Sequence, residues 1–128
     1  MDDPEVANAR LAELAMAVDP QRVKHANVDL TNQTAAASAD TVVAAVTAKK
    51  IRVIAMGLSV SLAAVVSLQS NAVRISEQWW SAAYGGRERG QNAQGYYETV
   101  AGEALKCLCN AGGGGATIGG LWVQYIEI

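Results

Sequence analysis

From residue 27 to the C-terminus, short stretches of alternating or β-branched residues follow one another, each bounded by residues that favour turns. The last stretch is the clearest, because its apolar residues Leu121, Val123 and Tyr125 recur at every second position. About eight strands are predicted in this way, at residues 27–30, 40–46, 49–60, 64–69, 73–80, 96–100, 104–109 and 117–127. This spacing is typical of an all-β protein, so residues 26–128 are predicted to form a single jelly-roll-like antiparallel β-sandwich.

Residues 1–25 have a different pattern and are predicted to form an N-terminal helical arm followed by a linker. Acidic residues and Pro4 suit the first turn of a helix, and Pro20 ends it. Leu11, Leu14 and Val18 are spaced so that they share one helix face. A helix of about four turns is marginal alone, and a core built from strands leaves this stripe no obvious place. We therefore predict that these three residues contact a partner protein.

The low charge of the chain constrains what it binds. Hydrophobic residues make up 51% of the 128 residues, charged residues only 17%, and the net charge is −2. An average soluble domain is about 25% charged, so this surface is unusually neutral and suits a protein packed against other subunits. Basic residues are scattered and form no dense stripe that could neutralise phosphates. Nucleic acid is therefore not an expected partner.

Residues 53–73 contain no charged residue, which raises the question of a membrane span. Serines interrupt the stretch and its apolar part ends at Leu68, whereas a spanning helix needs about 20 predominantly apolar residues. Two buried strands are predicted here instead, and no membrane partner. The N-terminus is acidic where an export signal would be basic, so we expect synthesis in the cytoplasm.

The residues that usually carry catalysis are sparse. The only histidine, His25, falls in the predicted linker, where it cannot complete a metal cluster or a catalytic triad. Glu98 and Glu103 flank a turn and are interpreted as turn residues that bond backbone amides, the alternative being a glycosidase-like pair. Cys107 and Cys109 are predicted to be buried free thiols, because residues two apart on a strand cannot easily form a disulfide.

The glycine run at residues 112–115 is predicted to be a flexible hairpin tip. A phosphate-binding loop would need a following lysine and hydroxyl residue at the start of a helix, and neither is present. We therefore predict a non-enzymatic protein with no catalytic, metal or cofactor site.

A long loop predicted at residues 81–95 is the best candidate for a contact surface. It contains Arg87 and Arg89 and is flanked by Trp79, Trp80 and Tyr96. Aromatic and arginine residues are enriched at interface hot spots, so these five residues are predicted to bind a partner. Because neighbouring residues on a strand face opposite sides, one tryptophan can enter the core. The alternative is a solvated loop, with both tryptophans closing the end of the sandwich.

Four sequence segments, occurring in a fixed order along the chain, resemble those of a known family. They are residues 43–53 (VAAVTAKKIRV), 68–70 (LQS), 97–105 (YETVAGEAL) and 119–128 (GGLWVQYIEI). With this series, residues 26–128 resemble small β-sandwich proteins encoded among bacteriophage structural genes, in particular capsid decoration (cement) proteins. The tryptophan pair, residues 87–89, the two cysteines and the glycine run depart from the usual pattern. The resemblance implies a virion subunit and supplies no catalytic residues.

The expected function is therefore that of a capsid decoration subunit on the virion surface. Such a subunit binds the major capsid protein, stabilises the assembled head and associates with itself, and the resemblance favours a homotrimer. A phage tail or fibre component is the alternative within the same particle. A carbohydrate-binding β-sandwich module is the alternative from another class, with Trp79 or Tyr96 stacking on the sugar.

Overall fold

The computed structural model describes residues 22–33, 35–111 and 117–128. These residues form an all-β sandwich of two five-stranded antiparallel sheets. The strands are β1 (Lys24–Thr31), β2 (Asp40–Val43), β3 (Ile51–Val60), β4 (Ala64–Ser70), β5 (Val73–Arg74), β6 (Trp79–Ser81), β7 (Gly86–Arg89), β8 (Tyr97–Glu98), β9 (Leu105–Asn110) and β10 (Thr117–Glu127). Sheet I has the order β1-β10-β3-β7, with β8 also on β3, and sheet II has the order β2-β9-β4-β5, with β6 also on β4.

The long central strands of sheet I are β3 and β10, which pair along almost their whole length. A β-bulge leaves Ile54 without a partner, because Tyr125 pairs with Val53 while Gln124 pairs with Ala55. Before the bulge, the inward-facing residues of β3 are Ile51 and Val53; after it, they are Met56, Leu58 and Val60. All five side chains are buried. One extra residue thus keeps both halves of the strand facing the core.

The core lies between the two sheets and is aliphatic, with Trp79 as its largest fully buried side chain. Sheet II contributes Val66 and Leu68 from β4 and Leu105 from β9, each fully buried. Burying a side chain of this size contributes about 1.5–3 kcal/mol, so the core is the main source of stability. The charge-free residues 53–73 fall in β3, in β4, in the turns that follow them and in the first position of β5, and the two long strands β3 and β4 confirm the prediction of two buried strands. No helix among the described residues has the length and apolar character needed to cross a membrane.

Cys107 and Cys109 are both free and fully buried, which confirms that prediction. Both side chains project from β9 into the core. Burial raises the pKa of both thiols, that of Cys109 to about 11. They are therefore protonated at neutral pH and act as small apolar side chains.

The single strand predicted at residues 73–80 is wrong, because the chain forms β5 and β6 with a break between them. Ser76 causes the break: its hydroxyl accepts a hydrogen bond from the backbone N–H of Leu68 at 2.8 Å and donates one to the carbonyl of Glu77 at 2.8 Å. A side-chain hydroxyl thus replaces a carbonyl of the sheet ladder, a competition typical of serine.

Three other predicted segments also differ. The loop predicted at residues 81–95 contains β7, which pairs with β3 at the edge of sheet I. The hairpin predicted around the glycine run is not formed, because β9 and β10 belong to different sheets; the run itself lies outside the described residues. Strand β1 begins at Lys24, so residues 24 and 25, predicted as linker, pair with β10, and the boundary predicted after residue 25 falls within β1.

The arm residues Leu11, Leu14 and Val18 lie outside the described residues, so their contacts stay a prediction.

Candidate functional site

The two adjacent tryptophans of β6 face opposite sides of sheet II, as the strand alternation predicts. Trp79 is 2% exposed and belongs to the core, whereas Trp80 is 73% exposed. They separate because Trp79 pairs with Val66, whose side chain points inward, and Trp80 pairs with the next position, Val65. Trp79 is therefore a structural residue and not the surface contact that was predicted, and Trp80 alone of the pair can meet a partner.

Trp79 is held by a polar cluster centred on Glu77, which sequence analysis did not identify. The carboxylate Oε1 of Glu77 accepts hydrogen bonds from Trp79 Nε1 at 3.1 Å, from the hydroxyl of Tyr97 at 2.9 Å and from Arg89 at 2.7 Å. Tyr97 also packs edge-on against Trp79, with ring centroids 5.9 Å apart. The Glu77 cluster joins β6 of sheet II to β7 and β8 of sheet I.

The electrostatics of the cluster follow from these contacts. The pKa of Glu77 lies below its ordinary value of 4.5, mainly because its own backbone N–H stabilises the carboxylate; Tyr97, Trp79 and Arg89 act in the same direction, against partial burial. Burial, together with the hydrogen bond to Glu77, raises the pKa of Tyr97 to about 12. Glu77 is therefore charged and Tyr97 is a neutral donor at neutral pH.

Arg89 and Tyr96, both predicted to bind a partner, contact each other. The guanidinium of Arg89 lies 5.3 Å from the centroid of the Tyr96 ring, and the Tyr96 hydroxyl donates to the carbonyl of Gly90 at 2.6 Å. These contacts are cation–π and hydrogen-bonding interactions that fix the chain after β7. Of the two rings named in the carbohydrate alternative, Trp79 is buried and Tyr96 has Arg89 over its ring.

One end of the sandwich, here named the Trp80 end, carries three exposed large apolar side chains. Leu62 in the β3–β4 turn is 49% exposed, Trp80 is 73% exposed, and Tyr84 in the β6–β7 connection is 90% exposed. The two connections are joined by a 2.9 Å hydrogen bond from the N–H of Val60 to the carbonyl of Gly85.

Beside Trp80 is a hollow of about 360 Å³ with no charged residue in its lining. Its lining residues are Ala63, Ala64, Val65, Trp80, Ser81, Ala82, Asn110 and Ala111. The hollow therefore carries no charge that would attract a charged ligand.

A second concave surface crosses the outer face of sheet I and is here named the sheet I groove. It has a volume of about 450 Å³, and Arg87, one of the predicted contact residues, contributes to its edge. The outward positions form two neighbouring rows across four strands, given by the register as Asn27, Trp122, Gly57 and Glu88 in one row and Asp29, Gly120, Ser59 and Gly86 in the other. These residues are far apart in sequence, so only the strand pairing brings them together.

The acidic residues considered for catalysis take part in separate contacts. Glu98 forms an ion pair with Arg52 at 2.7 Å, and Glu103 accepts a hydrogen bond from the hydroxyl of Ser70 at 2.7 Å. His25 lies exposed on β1, opposite Gln124 of β10. Within the described part of the chain, no three histidine, cysteine, aspartate or glutamate side chains are grouped so as to hold a metal ion.

Comparisons of the chain with protein-family models, with curated proteins and with solved structures found no match. The resemblance to bacteriophage structural proteins therefore stays a prediction.

Proposed function

We propose that this protein is a bacteriophage virion structural protein, a non-enzymatic capsid decoration subunit with a jelly-roll fold. The observation that carries the proposal is the order of the strands in the two sheets. Double-sheet jelly rolls recur in viral capsid domains, and their strands follow a characteristic order. The sequence resemblance points to the same class of protein independently.

The ten described strands reduce to eight positions, because two pairs share a position. Strands β5 and β6 both pair with β4 on the same edge of sheet II, and β7 and β8 both pair with β3 on the same edge of sheet I. Numbered along the chain, the positions have the order 1-8-3-6 in sheet I and 2-7-4-5 in sheet II. Every connection crosses between the sheets except the one from position 4 to position 5. These two strand orders, with connections that cross between the sheets, support the jelly-roll assignment.

The Trp80 end is the surface that docks on the capsid in this proposal. Exposed apolar side chains grouped on one face are uncommon on monomeric proteins and mark interaction sites. The uncharged lining of the neighbouring hollow calls for an apolar segment of the major capsid protein. Trp80 then serves as the anchor residue, in keeping with the enrichment of tryptophan among hot spots.

Self-association completes the proposal. A homotrimer with closed symmetry presents three Trp80 ends to the shell at once, and linked weak contacts gain strength through multivalency. A subunit that binds only the assembled shell stabilises it by mass action. The arm residues Leu11, Leu14 and Val18 contact a sister subunit or the capsid.

The copy number of the chain in purified virions tests the proposal. Quantitative mass spectrometry is expected to give a copy number comparable to that of the major capsid protein. A few copies per particle would instead support the tail or fibre alternative. Absence of the chain from the particle would overturn a virion role altogether.

A further inference from the structure

The shape of the sheet I groove comes from three glycines placed beside one tryptophan. A side chain at Gly57 would collide with the Trp122 indole, so the ring lies directly over this position. In the next row, Gly120 and Gly86 place no side chain on the outer face of the sheet. Trp122 therefore forms a wall beside a shallow floor in which Gly120 and Gly86 lie on either side of the small side chain of Ser59.

Polar side chains stand around this floor. Asn27 and Asp29 project from β1, Ser59 from β3 and Glu88 from β7, and all four are exposed. The hydrogen bonds between described residues include none from these four side chains or from the Trp122 indole. Their donors and acceptors are therefore available to a ligand. The groove crosses three strand spacings, a span of roughly 14 Å.

We propose that the sheet I groove binds a short neutral oligosaccharide. Binding sites generally combine an aromatic or apolar wall with a few placed polar groups. The aromatic wall suits the C–H face of a sugar ring, and carboxylate and amide oxygens accept hydrogen bonds from sugar hydroxyls. Charge-assisted hydrogen bonds to Asp29 and Glu88 are the strongest available here. Asp29 and Glu88 outnumber the single cation at the edge of the groove, Arg87, so the net negative charge of the lining disfavours nucleic acids and acidic glycans.

This inference does not depend on the decoration role, because it uses the outer face of sheet I and not the Trp80 end.

The decisive variant is Gly120→Val, which fills the floor of the groove while sparing the fold. A side chain added at Gly120 would have Val28 O, 3.8 Å from its Cβ, as its nearest neighbour, so valine fits the strand. Maltotriose, cellotriose and N-acetylchitotriose are titrated into the full-length protein by isothermal calorimetry. At least one is expected to bind, and Gly120→Val is expected to abolish binding without changing the thermal unfolding temperature.

Two further variants distinguish the groove from other surfaces. Asp29→Asn is expected to weaken binding by roughly tenfold, since it removes one charge-assisted hydrogen bond. Trp80→Ser is expected to bind the sugar as wild type does. The proposal is overturned if none of the three trisaccharides binds, or if Gly120→Val binds as well as wild type. If Trp80→Ser lowers occupancy on the virion and Gly120→Val does not, capsid docking and sugar binding use different surfaces of the protein.

Discussion

At the scale of single residues, one carboxylate connects the two sheets. Glu77 receives three side-chain donors, from Trp79, Arg89 and Tyr97, and the first of these belongs to the core. Glutamine at this position keeps a carbonyl oxygen that can accept from Trp79 and Tyr97, but it lacks the negative charge. Glu77→Gln therefore removes the charge-assisted part of these hydrogen bonds and the ion pair with Arg89.

Glu77→Gln is expected to lower the free energy of unfolding by roughly 1 kcal/mol at neutral pH. The folded-state pKa of Glu77 lies below its ordinary value of 4.5, so the contribution of the charged form is complete above that pH and is lost as the pH falls through the folded-state pKa. The stability difference between wild type and variant should therefore shrink in acid, as measured by urea unfolding at several pH values. Glu88→Gln on β7 is the matched control; a constant difference at all pH values would contradict the role of the charge.

The two tryptophans should separate stability from binding. Trp79→Ala is expected to cost about 3–5 kcal/mol, because it empties a core site, whereas Trp80→Ala should change the unfolding free energy by less than about 0.5 kcal/mol. On the decoration proposal, Trp80→Ala nevertheless lowers occupancy on the particle, as measured by mass spectrometry. Equal occupancy for Trp80→Ala and wild type would show that the Trp80 end is not the docking surface.

Arg87→Ala and Arg89→Ala are expected to have different effects, although both arginines were predicted as contact residues. Arg89 bonds Glu77, so its removal should reduce stability slightly, while Arg87 has only the edge of the groove to affect. The sequence suggested one contact loop for both arginines; their positions on β7 give them different roles.

At the scale of strands, the contact between β3 and β10 decides the shape of the outer face of sheet I. Trp122 lies over Gly57, its partner in the register, while the neighbouring position in β10, Gly120, is open. Two glycines of the same sheet therefore have opposite tolerance for a side chain, which the sequence alone does not distinguish.

Gly57→Ala is expected to destabilise the protein by about 1–3 kcal/mol, because its Cβ overlaps the Trp122 indole and forces the ring or the strand to move. Gly120→Ala is the control and should leave stability nearly unchanged. Urea unfolding gives the energies, and near-ultraviolet circular dichroism reports the displaced ring. Equal tolerance at both positions would mean that the ring does not lie over Gly57.

At the scale of the whole molecule, the described strands enclose an aliphatic core between the two sheets. Strand β1 begins at Lys24 and pairs along its full length with β10. The arm is therefore proposed to act between subunits, and its role can be tested by removing it.

Deletion of residues 1–19 is expected to leave the sandwich folded and to weaken trimer formation or capsid attachment. Light scattering of the full-length protein should give three times the 13.4 kDa chain mass, with dissociation of the shortened protein at lower concentration. Unfolding of the shortened protein would instead place the arm in the domain core. A full-length monomer at micromolar concentration would count against a preassembled trimer.

The sequence by itself determined where most strands lie and which of their residues face inward. Residues 117–127 match β10, and 64–69 match β4 to within one residue. The opposite orientation of Trp79 and Trp80 followed from the alternation alone. These features depend on local periodicity, which a strand carries in its own residues.

Only the tertiary structure decided which strands pair, because pairing joins residues far apart along the chain. The break between β5 and β6 depends on Ser76 bonding a neighbouring strand, and β7 forms because β3 offers it an edge. Likewise Glu77 meets Arg89 and Tyr97 through contacts between the two sheets. The groove beside Trp122 exists because four strands align their outward positions. No local pattern encodes that register; it is set by the packing of the whole core.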